Sequence, residues 1–177
     1  MSDSKQTTHR KAFAFTRFII DKMQDNGIAA TLRRADNPNT EYQSWDTLAA
    51  FNIDLDKPWQ RLPFATIAAA MAKAKIEQNG ANGIGQAITR CYEDGKDSDQ
   101  AKAKLRRLLA CESVEEVCRI LRPLFSLIQA KGDSTLDYAR LLDELLSFHW
   151  RSQDIKARWA QDFYRYVKSE TKEADAS

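Results

Sequence analysis

Residues 101–128 constrain the fold more than any other part of the sequence. They read AKAKLRRLLACESVEEVCRILRPLFSLI, and their apolar residues recur at steps of three and four. This spacing places them on one face of a helix, so the stretch predicts two amphipathic helices. Ser113, with Glu116 three residues later, has the capping-box pattern that begins a helix. Pro123 lies within the second helix, and because the apolar pattern continues beyond it, we expect a kink there rather than an end.

A helical period extends over most of the chain, and no convincing alternation of apolar and polar residues indicates a strand. The predicted helices cover about 11–24, 28–34, 42–51, 63–78, 84–91, the two segments described above, 136–150 and 154–167. Asn26-Gly27 is interpreted as the C-cap of the first helix, and Pro63 as part of the first turn of the alanine-rich helix. The predicted fold class is therefore all-α, a compact bundle of roughly eight helices.

Length and composition predict one main domain. With 177 residues, 43% of them hydrophobic, the chain can bury one good core. We expect a disordered N-terminus over 1–9, a single helical domain over 10–168 that could comprise two small lobes, and a disordered tail over 169–177. No stretch reaches the roughly 20 apolar residues needed to cross a bilayer, and no secretion signal is evident, so we expect a cytoplasmic protein.

The placement of charge carries more information than its total. Lys and Arg number 27 against 25 Asp and Glu, for a net charge of only +2. Two clusters nevertheless contain no acid: Arg33-Arg34, and the Lys102, Lys104, Arg106 and Arg107 group. A phosphate backbone needs several such charges, because each contact is individually weak in salt. The alternative is that these are ordinary solvated faces, whose charges pair with nearby acids such as Glu112, Glu115 and Glu116.

Catalytic and metal-binding interpretations find little support in the sequence. The spacing of Gly80, Gly83 and Gly85 matches no phosphate-binding loop, so we interpret this segment as a flexible connector between helices. Asp143 with Glu144, or Asp133 with Asp137, could hold a metal for a nuclease only as a remote alternative. His149 is interpreted as a helix-end histidine that is satisfied rather than catalytic. We therefore expect no enzyme activity, no metal and no cofactor.

Three cysteines and two tryptophans have ordinary structural interpretations. Cys91, Cys111 and Cys118 lack the paired spacing of a zinc site, so we expect buried thiols outside any disulfide. Trp45 and Trp59 could stack on unpaired bases, but their apolar surroundings favour the core.

Several modest motifs in a shared order resemble the CasB family, the small subunit of the type I-E CRISPR surveillance complex called Cascade. The resemblance extends from about residue 29 to 167. Its motifs are Leu32-Arg33-Arg34-Ala35, and the segments 64–70, 83–88, 105–109, 121–124, 137–142 and 158–164. It implies an all-helical, non-enzymatic subunit, present as two copies, that lies against the CasC backbone, contacts the CasA large subunit, and steadies the guide RNA–target duplex and the displaced DNA strand.

Basic residues that line the DNA path in the family are carried over by position. Arg34 and Arg122 are the better matches, and Lys104, Arg107 and Arg151 are less certain; Arg33 belongs to the same basic pair as Arg34. The chain departs from the family at Ala110, where some relatives are basic, and in the loop 77–82, which lacks the usual basic residues. A purely architectural adaptor that bridges protein subunits is the alternative function.

Overall fold

The computed structural model describes residues 2–131 and 135–165. Those residues form nine α-helices and no strand, which confirms the all-α prediction. The helices are α1 (Ser2–Lys22), α2 (Asn26–Leu32), α3 (Trp45–Ala50), α4 (Pro58–Ala74), α5 (Ile84–Arg90), α6 (Asp99–Leu109), α7 (Val114–Ala130), α8 (Tyr138–Leu146) and α9 (Phe148–Arg165). Short 3-10 helices cover Glu41–Ser44 and Gly95–Asp97. The predicted disordered tail, 169–177, lies outside the described residues.

Helix α4 is the centre of the bundle. Its ten consecutive residues from 63 to 72 are all buried, as expected of a helix with neighbours on every side. It packs against α1, α2, α7 and α8, and its alanines allow these helices to approach closely. Phe64 makes an edge-to-face contact with Phe15 of α1 at 4.7 Å between ring centroids. At the other end of α4, the carbonyls of Ala72 and Lys73 accept hydrogen bonds from Arg33 and from Gln129 of α7, which places this end beside the candidate site.

Helix α7 agrees with its sequence pattern. Its buried residues include Val114, Leu121 and Phe125. The Ser113 hydroxyl accepts a 3.2 Å hydrogen bond from the Glu116 amide, which confirms this side of the predicted cap. The Glu116 carboxylate accepts the reciprocal bond from the amide of Glu112 instead of that of Ser113. The helix continues through Pro123, as predicted, because the apolar residues on both sides are buried in the same core.

The boundaries of α1 and α2 differ from the predictions. Helix α1 begins at Ser2, nine residues before the predicted start at residue 11. Adding residues to an existing helix costs little, so a polar segment can extend a helix that is packed further along. Asn26 and Gly27 begin α2 instead of ending α1, because Asp25 accepts a 3.0 Å hydrogen bond from the Ile28 amide as the N-cap.

Helix α4 begins at Pro58, five residues before Pro63, and ends at Ala74 instead of near residue 78. Pro58 takes the first-turn position that suits proline, so Pro63 lies in the buried interior of the helix. The backbone of Lys75 then turns left-handed, with φ of 51°, and this residue ends the helix.

The predicted helix over 136–150 is divided between α8 and α9. Asp137 caps α8, which ends at Leu146, and α9 begins at Phe148. Within α9, the backbone of Arg151 is not helical, with φ of −131° and ψ of 23°. Phe148 is fully buried and stacks on Trp159 at 6.0 Å. The burial of Phe148 determines the direction of the chain here, and the sequence contains no glycine or proline that indicates the change.

The glycine connector between α4 and α5 is held firmly in place. The amides of Gly80 and Asn82 donate to the carbonyls of Leu136 and Thr135, and the Asp137 amide donates to the Asn82 carbonyl. A Cβ at Gly80 would collide with the Thr135 carbonyl. The segment joins two helices, as predicted, but its glycines allow close packing instead of flexibility.

The prediction that Trp45 and Trp59 belong to the core is wrong. Their side chains are 37% and 46% exposed. Trp45 lies against the guanidinium of Arg61, whose carbon is 5.4 Å from the ring, and Trp59 lies 5.8 Å from the ring of His149. All three cysteines are buried, as predicted. Among the described residues, no helix is both long and apolar enough to span a membrane.

Candidate nucleic-acid interface

A surface groove with a volume of about 350 Å³ brings together basic residues from three parts of the chain. We call it the basic groove. It is lined by Arg33, Arg34, Asp36, Asn37, Thr40, Lys73, Arg122, Pro123 and Ser126. Four of these side chains are cations and one is a carboxylate, so the formal net charge of the lining is +3. The groove therefore joins Arg33, Arg34 and Arg122, three of the basic residues predicted from the sequence.

Local structure at the end of α2 presents the two arginines to the groove. The amides of Arg34 and Ala35 donate to the carbonyls of Thr31 and Leu32, which extends the helical turn past the end of α2. Ala35 is buried, and this anchors the chain. The hydroxyl of Thr40 donates a 2.9 Å hydrogen bond to the Arg34 carbonyl and so closes the following turn.

The arginines of α2 are only partly engaged by other groups. Nε of Arg33 donates to the carbonyl of Ala72 at 3.3 Å, which ties this arginine to the end of α4. The guanidinium of Arg34 is exposed and donates to the neutral amide oxygen of Gln43 at 3.1 Å. Neither bond neutralises the positive charge, so both arginines contribute their full charge to the groove.

One carboxylate, that of Asp36, lies between cations from two helices. Nζ of Lys73, in the last turn of α4, is 2.5 Å from Oδ2 of Asp36. Nε of Arg122, in α7, is 3.9 Å from the same oxygen. The Asp36 side chain is 11% exposed, and those of Lys73 and Arg122 are 37% and 35% exposed. Because the cations keep part of their surface in solvent, they are accessible to an anionic partner.

Lys73 is the groove residue that the sequence analysis missed. It lies among alanines, with Lys75 two positions away as the nearest charge, so no dense cluster of basic residues marks it. The predicted helix continued to about residue 78, which placed Lys73 before its last turn, whereas the observed helix ends at Ala74 and exposes part of Lys73 at the surface.

The other predicted basic residues do not line this groove. Lys104 and Arg107 are on α6, which packs against α5, α7 and α9, and Arg107 is exposed. Cys111, just after α6, is influenced by the negative charge of Glu116 and by the positive charges of Lys156, Arg119 and Arg107. Burial nevertheless raises the pKa of the Cys111 thiol.

Arg151 lies at the bend in α9 and does not line the basic groove. Its side chain is 18% exposed, and its Nε is 4.0 Å from the exposed carboxylate of Asp154. Its charge also acts on Asp143, whose pKa is raised because burial outweighs the positive charges of His9, Arg151 and Arg158. Of the six predicted basic residues, Arg33, Arg34 and Arg122 share the groove, whereas Lys104 and Arg107 on α6 and Arg151 on α9 lie outside its lining.

The acids considered for a metal site have other roles. Glu144 is buried and accepts hydrogen bonds from Arg140 and Trp159. Asp137 caps α8 and accepts from the side chain of Asn79 at 2.6 Å. Asp133 lies outside the described residues. Within 2–131 and 135–165, no three His, Cys, Asp or Glu side chains are grouped closely enough to bind a metal ion.

Comparison with protein families gives a match that covers most of this structure. Residues 29–164, which contain the whole basic groove, match the model of the CRISPR-associated protein Cse2 family. The chain belongs to the Cse2 family. This family assignment confirms the resemblance to CasB, since the solved structures similar to it carry both names. A search of curated protein sequences found no significant match.

Solved structures of CasB and Cse2 proteins share the fold. The chain is similar to TTHB189, a Cse2-family protein from Thermus thermophilus, with a TM-score of 0.72, 19% identity, and coverage of 86% of this chain and 97% of the other. It is also similar to CasB of M. ruber, with a TM-score of 0.67, 21% identity and coverage of 88% and 93%. A chain of a CRISPR RNA-guided surveillance complex has a TM-score of 0.69, 20% identity and coverage of 89% and 94%.

Proposed function

We propose that this Cse2-family protein is a non-catalytic subunit of a CRISPR RNA-guided surveillance complex in the cytoplasm, and that it binds nucleic-acid backbone in the basic groove. The observation that carries the proposal is the convergence of Arg33, Arg34, Lys73 and Arg122 around one carboxylate. Family membership and the similarity to a chain from such a complex support it.

The chemistry of the groove suits phosphate and not base recognition. Guanidinium groups such as those of Arg34 and Arg122 form charge-assisted, bidentate hydrogen bonds with phosphate oxygens. No directional arrangement of neutral donors and acceptors is required for such contacts, and phosphate contacts carry no sequence information of their own. We therefore infer that binding is independent of sequence and weakens as salt increases.

A few phosphate contacts are enough to affect target recognition. The guide RNA–target duplex is about as stable as the DNA duplex that it replaces, so small added contacts shift the balance towards the open R-loop. In this proposal two copies of the protein lie against the CasC backbone near CasA, and they steady the guide RNA–target duplex and the displaced strand. Lys104, Arg107 and Arg151 are proposed to add contacts from surfaces outside the groove.

The engagement of the acidic residues supports a non-catalytic role. Glu144 and Asp137 are committed to hydrogen bonds within the bundle, so they cannot hold a metal ion without breaking those bonds. We expect the purified protein to leave DNA and RNA intact in the presence of magnesium, manganese or zinc. Cleavage that disappears in an Asp143→Asn variant would contradict this role.

Co-purification is the first test of the proposal. A tagged form of the protein, expressed with the other subunits and a guide RNA, should be recovered with them as one complex. The second test replaces Arg34 and Arg122 with Ala in that complex. Assembly should remain normal and R-loop stability should fall at low salt, with a smaller difference at high salt because the contacts are screened there.

A matched control separates the groove from general charge. Arg10 and Arg17 are exposed on α1 and do not line the groove, so their double replacement with Ala removes the same charge elsewhere. The control complex should keep the R-loop stability of the parent. Equal loss in both variants would overturn the assignment to the groove, and R-loops as stable as the parent's in the Arg34 and Arg122 variant would do so as well.

An architectural adaptor is the second candidate function, favoured by an exposed aromatic cluster. The side chains of Trp59 and Trp150 are 46% and 49% exposed and flank His149 at ring distances of 5.8 and 4.0 Å. Tryptophan is enriched among residues that dominate protein interfaces. If a Trp59→Ala, Trp150→Ala variant fails to assemble while the groove variant retains full R-loop stability, the adaptor function accounts for the data better.

A further inference from the structure

Among the residues that the structure describes, Asp36 is the one acidic side chain that lines the basic groove. Its carboxylate is mostly buried and lies 2.5 Å from Nζ of Lys73 and 3.9 Å from Nε of Arg122. A carboxylate oxygen and a phosphate oxygen accept the same charge-assisted hydrogen bonds from these groups. The carboxylate therefore stands where an anionic ligand of the two cations would have to place an oxygen.

We propose that Asp36 acts as an internal competitor of the nucleic-acid backbone, with its carboxylate occupying the phosphate position between Lys73 and Arg122 in the free protein. This inference rests on the function proposed above and adds the residue that limits affinity. A phosphate can reach the two cations only if the carboxylate moves away or if two negative groups remain close together. Both outcomes cost free energy, so the native residue keeps binding to the groove weak.

The surrounding structure fixes the competitor in place. Asp36 belongs to a turn in which the Asn37 amide donates to the Arg34 carbonyl at 3.2 Å, and the Thr40 hydroxyl donates to the same carbonyl. Its partner Lys73 is 37 positions away in sequence, on a different element. The pair is thus a tertiary contact, held by the packing of α2 and α4.

The two other arginines of the groove are outside this competition. Arg33 donates to the Ala72 carbonyl and Arg34 to the Gln43 amide, so the carboxylate does not engage either of them. We infer that the nucleic-acid backbone first contacts Arg34. Its contacts with Lys73 and Arg122 form only when the Asp36 carboxylate is displaced. A variant without the carboxylate should therefore gain contacts and lose none.

The test measures binding of the purified full chain to a fluorescent single-stranded oligo-dT over a range of sodium chloride concentrations. Replacing Asp36 with Asn keeps the size of the side chain and removes its charge. Affinity at low salt should rise by about fivefold, the scale of one partly exposed ion pair. The dependence of log affinity on log salt should steepen by about 0.7 for each phosphate newly neutralised on a single strand. Asp36→Ser, which also lacks the charge, should behave alike, whereas Asp36→Glu should bind no more tightly than the parent.

Asp54→Asn is the matched control. Asp54 pairs with Lys57 at 2.6 Å, is outside the groove, and carries the same charge as Asp36. This variant should bind like the parent. The inference is overturned if Asp36→Asn binds as the parent does or more weakly, or if Asp54→Asn tightens binding equally.

The results separate this inference from the proposed function. If the parent binds and Arg122→Ala weakens binding, but loss of the Asp36 carboxylate gives no gain, only the competitor is wrong. If the parent, the Asp36→Asn variant and the Asp36→Ser variant all fail to bind while folded, as judged by circular dichroism, then the groove is not a backbone site and both proposals fail.

Discussion

The indole nitrogen of Trp159 donates a 2.7 Å hydrogen bond to the carboxylate of Glu144, and both side chains are buried. Nε of Arg140 donates to the other carboxylate oxygen at 3.1 Å, and the guanidinium of Arg158 is 3.6 Å from it. Arg140 also pairs with Asp162 of α9. This network joins α8 to α9 through the buried carboxyl group of Glu144. Burial raises the pKa of Glu144, and the indole and arginine contacts offset that only in part.

The raised pKa predicts how stability depends on pH. As pH rises above the ordinary Glu value of 4.5, the unfolded chain ionises first, because the folded state holds its proton to higher pH. Stability contributed by the protonated carboxyl is therefore present below that value and is lost as pH rises through the folded pKa. Glu144→Gln removes this titration while keeping an acceptor for Trp159. The measured quantity is the melting temperature of the parent minus that of the Glu144→Gln variant. This difference should decrease as the pH is raised from 4.5 to neutral, and a constant or increasing difference would contradict the prediction.

Close packing of α5 against α9 gives a second prediction. A Cβ at Gly85 would lie 2.7 Å from the Phe163 amide nitrogen and closer still to the Trp159 carbonyl, so it would meet backbone that cannot easily yield. Gly85→Ala should lower the free energy of unfolding by about 1–3 kcal/mol, measured by urea denaturation. Gly27→Ala is the control, since its Cβ would meet only the side chain of Asp25 at 3.1 Å. It should change stability by about 1 kcal/mol or less, and equal losses in the two variants would show that packing is not the cause.

Elements defined by local pattern were predictable from the sequence. The apolar steps of α7 and the Ser113 cap depend on residues within one or two turns of each other, so the sequence contains the whole signal. The same apolar steps place Arg122 at the edge of the buried stripe of α7, and its side chain is half-buried there.

Features set by tertiary packing were not predictable. The basic groove depends on contacts such as Arg33 to Ala72 and Lys73 to Asp36, which join residues 39 and 37 positions apart. The adjacent charges of the Lys104 and Arg107 segment indicated a binding surface on α6, but these residues are outside the groove. The break between α8 and α9 at Ser147 was missed because burial of Phe148 decides it, whereas the non-helical Arg151 lies in the predicted gap between the helices over 136–150 and 154–167.

Burial also predicts the reactivity of the cysteines. Burial raises the pKa of Cys118 to about 12, and its side chain is almost inaccessible. Because the thiolate is the reactive form, the native protein should react only slowly with a disulfide reagent such as DTNB at about pH 8. All three thiols should react in guanidinium chloride, since the sequence contains three cysteines. A Cys118→Ala variant should give two equivalents when unfolded and the same slow native rate, and a rapid native reaction that this variant loses would contradict the burial.

Lys73, the groove residue that the sequence did not indicate, provides the last prediction. Its side chain is 37% exposed, so loss of its pair with Asp36 should cost stability only about 0–1 kcal/mol. Without the charge of Lys73, Arg122 is the groove cation nearest to the Asp36 carboxylate, and the formal net charge of the groove falls from +3 to +2. Lys73→Ala should therefore weaken binding to oligo-dT by about three- to tenfold at low salt, and the difference should shrink as salt screens the groove.

Two further variants decide whether charge at this position is the cause. Lys73→Arg keeps the charge and should bind within about twofold of the parent, since arginine also pairs with phosphate. Lys96→Ala removes the same charge from the 3-10 helix Gly95–Asp97, which does not line the groove, and should leave binding unchanged. If Lys73→Ala binds like the parent while Arg34→Ala and Arg122→Ala lose affinity, the nucleic-acid path crosses α2 and α7 without reaching α4. Loss of affinity in Lys73→Ala alone would instead make the end of α4 the main contact.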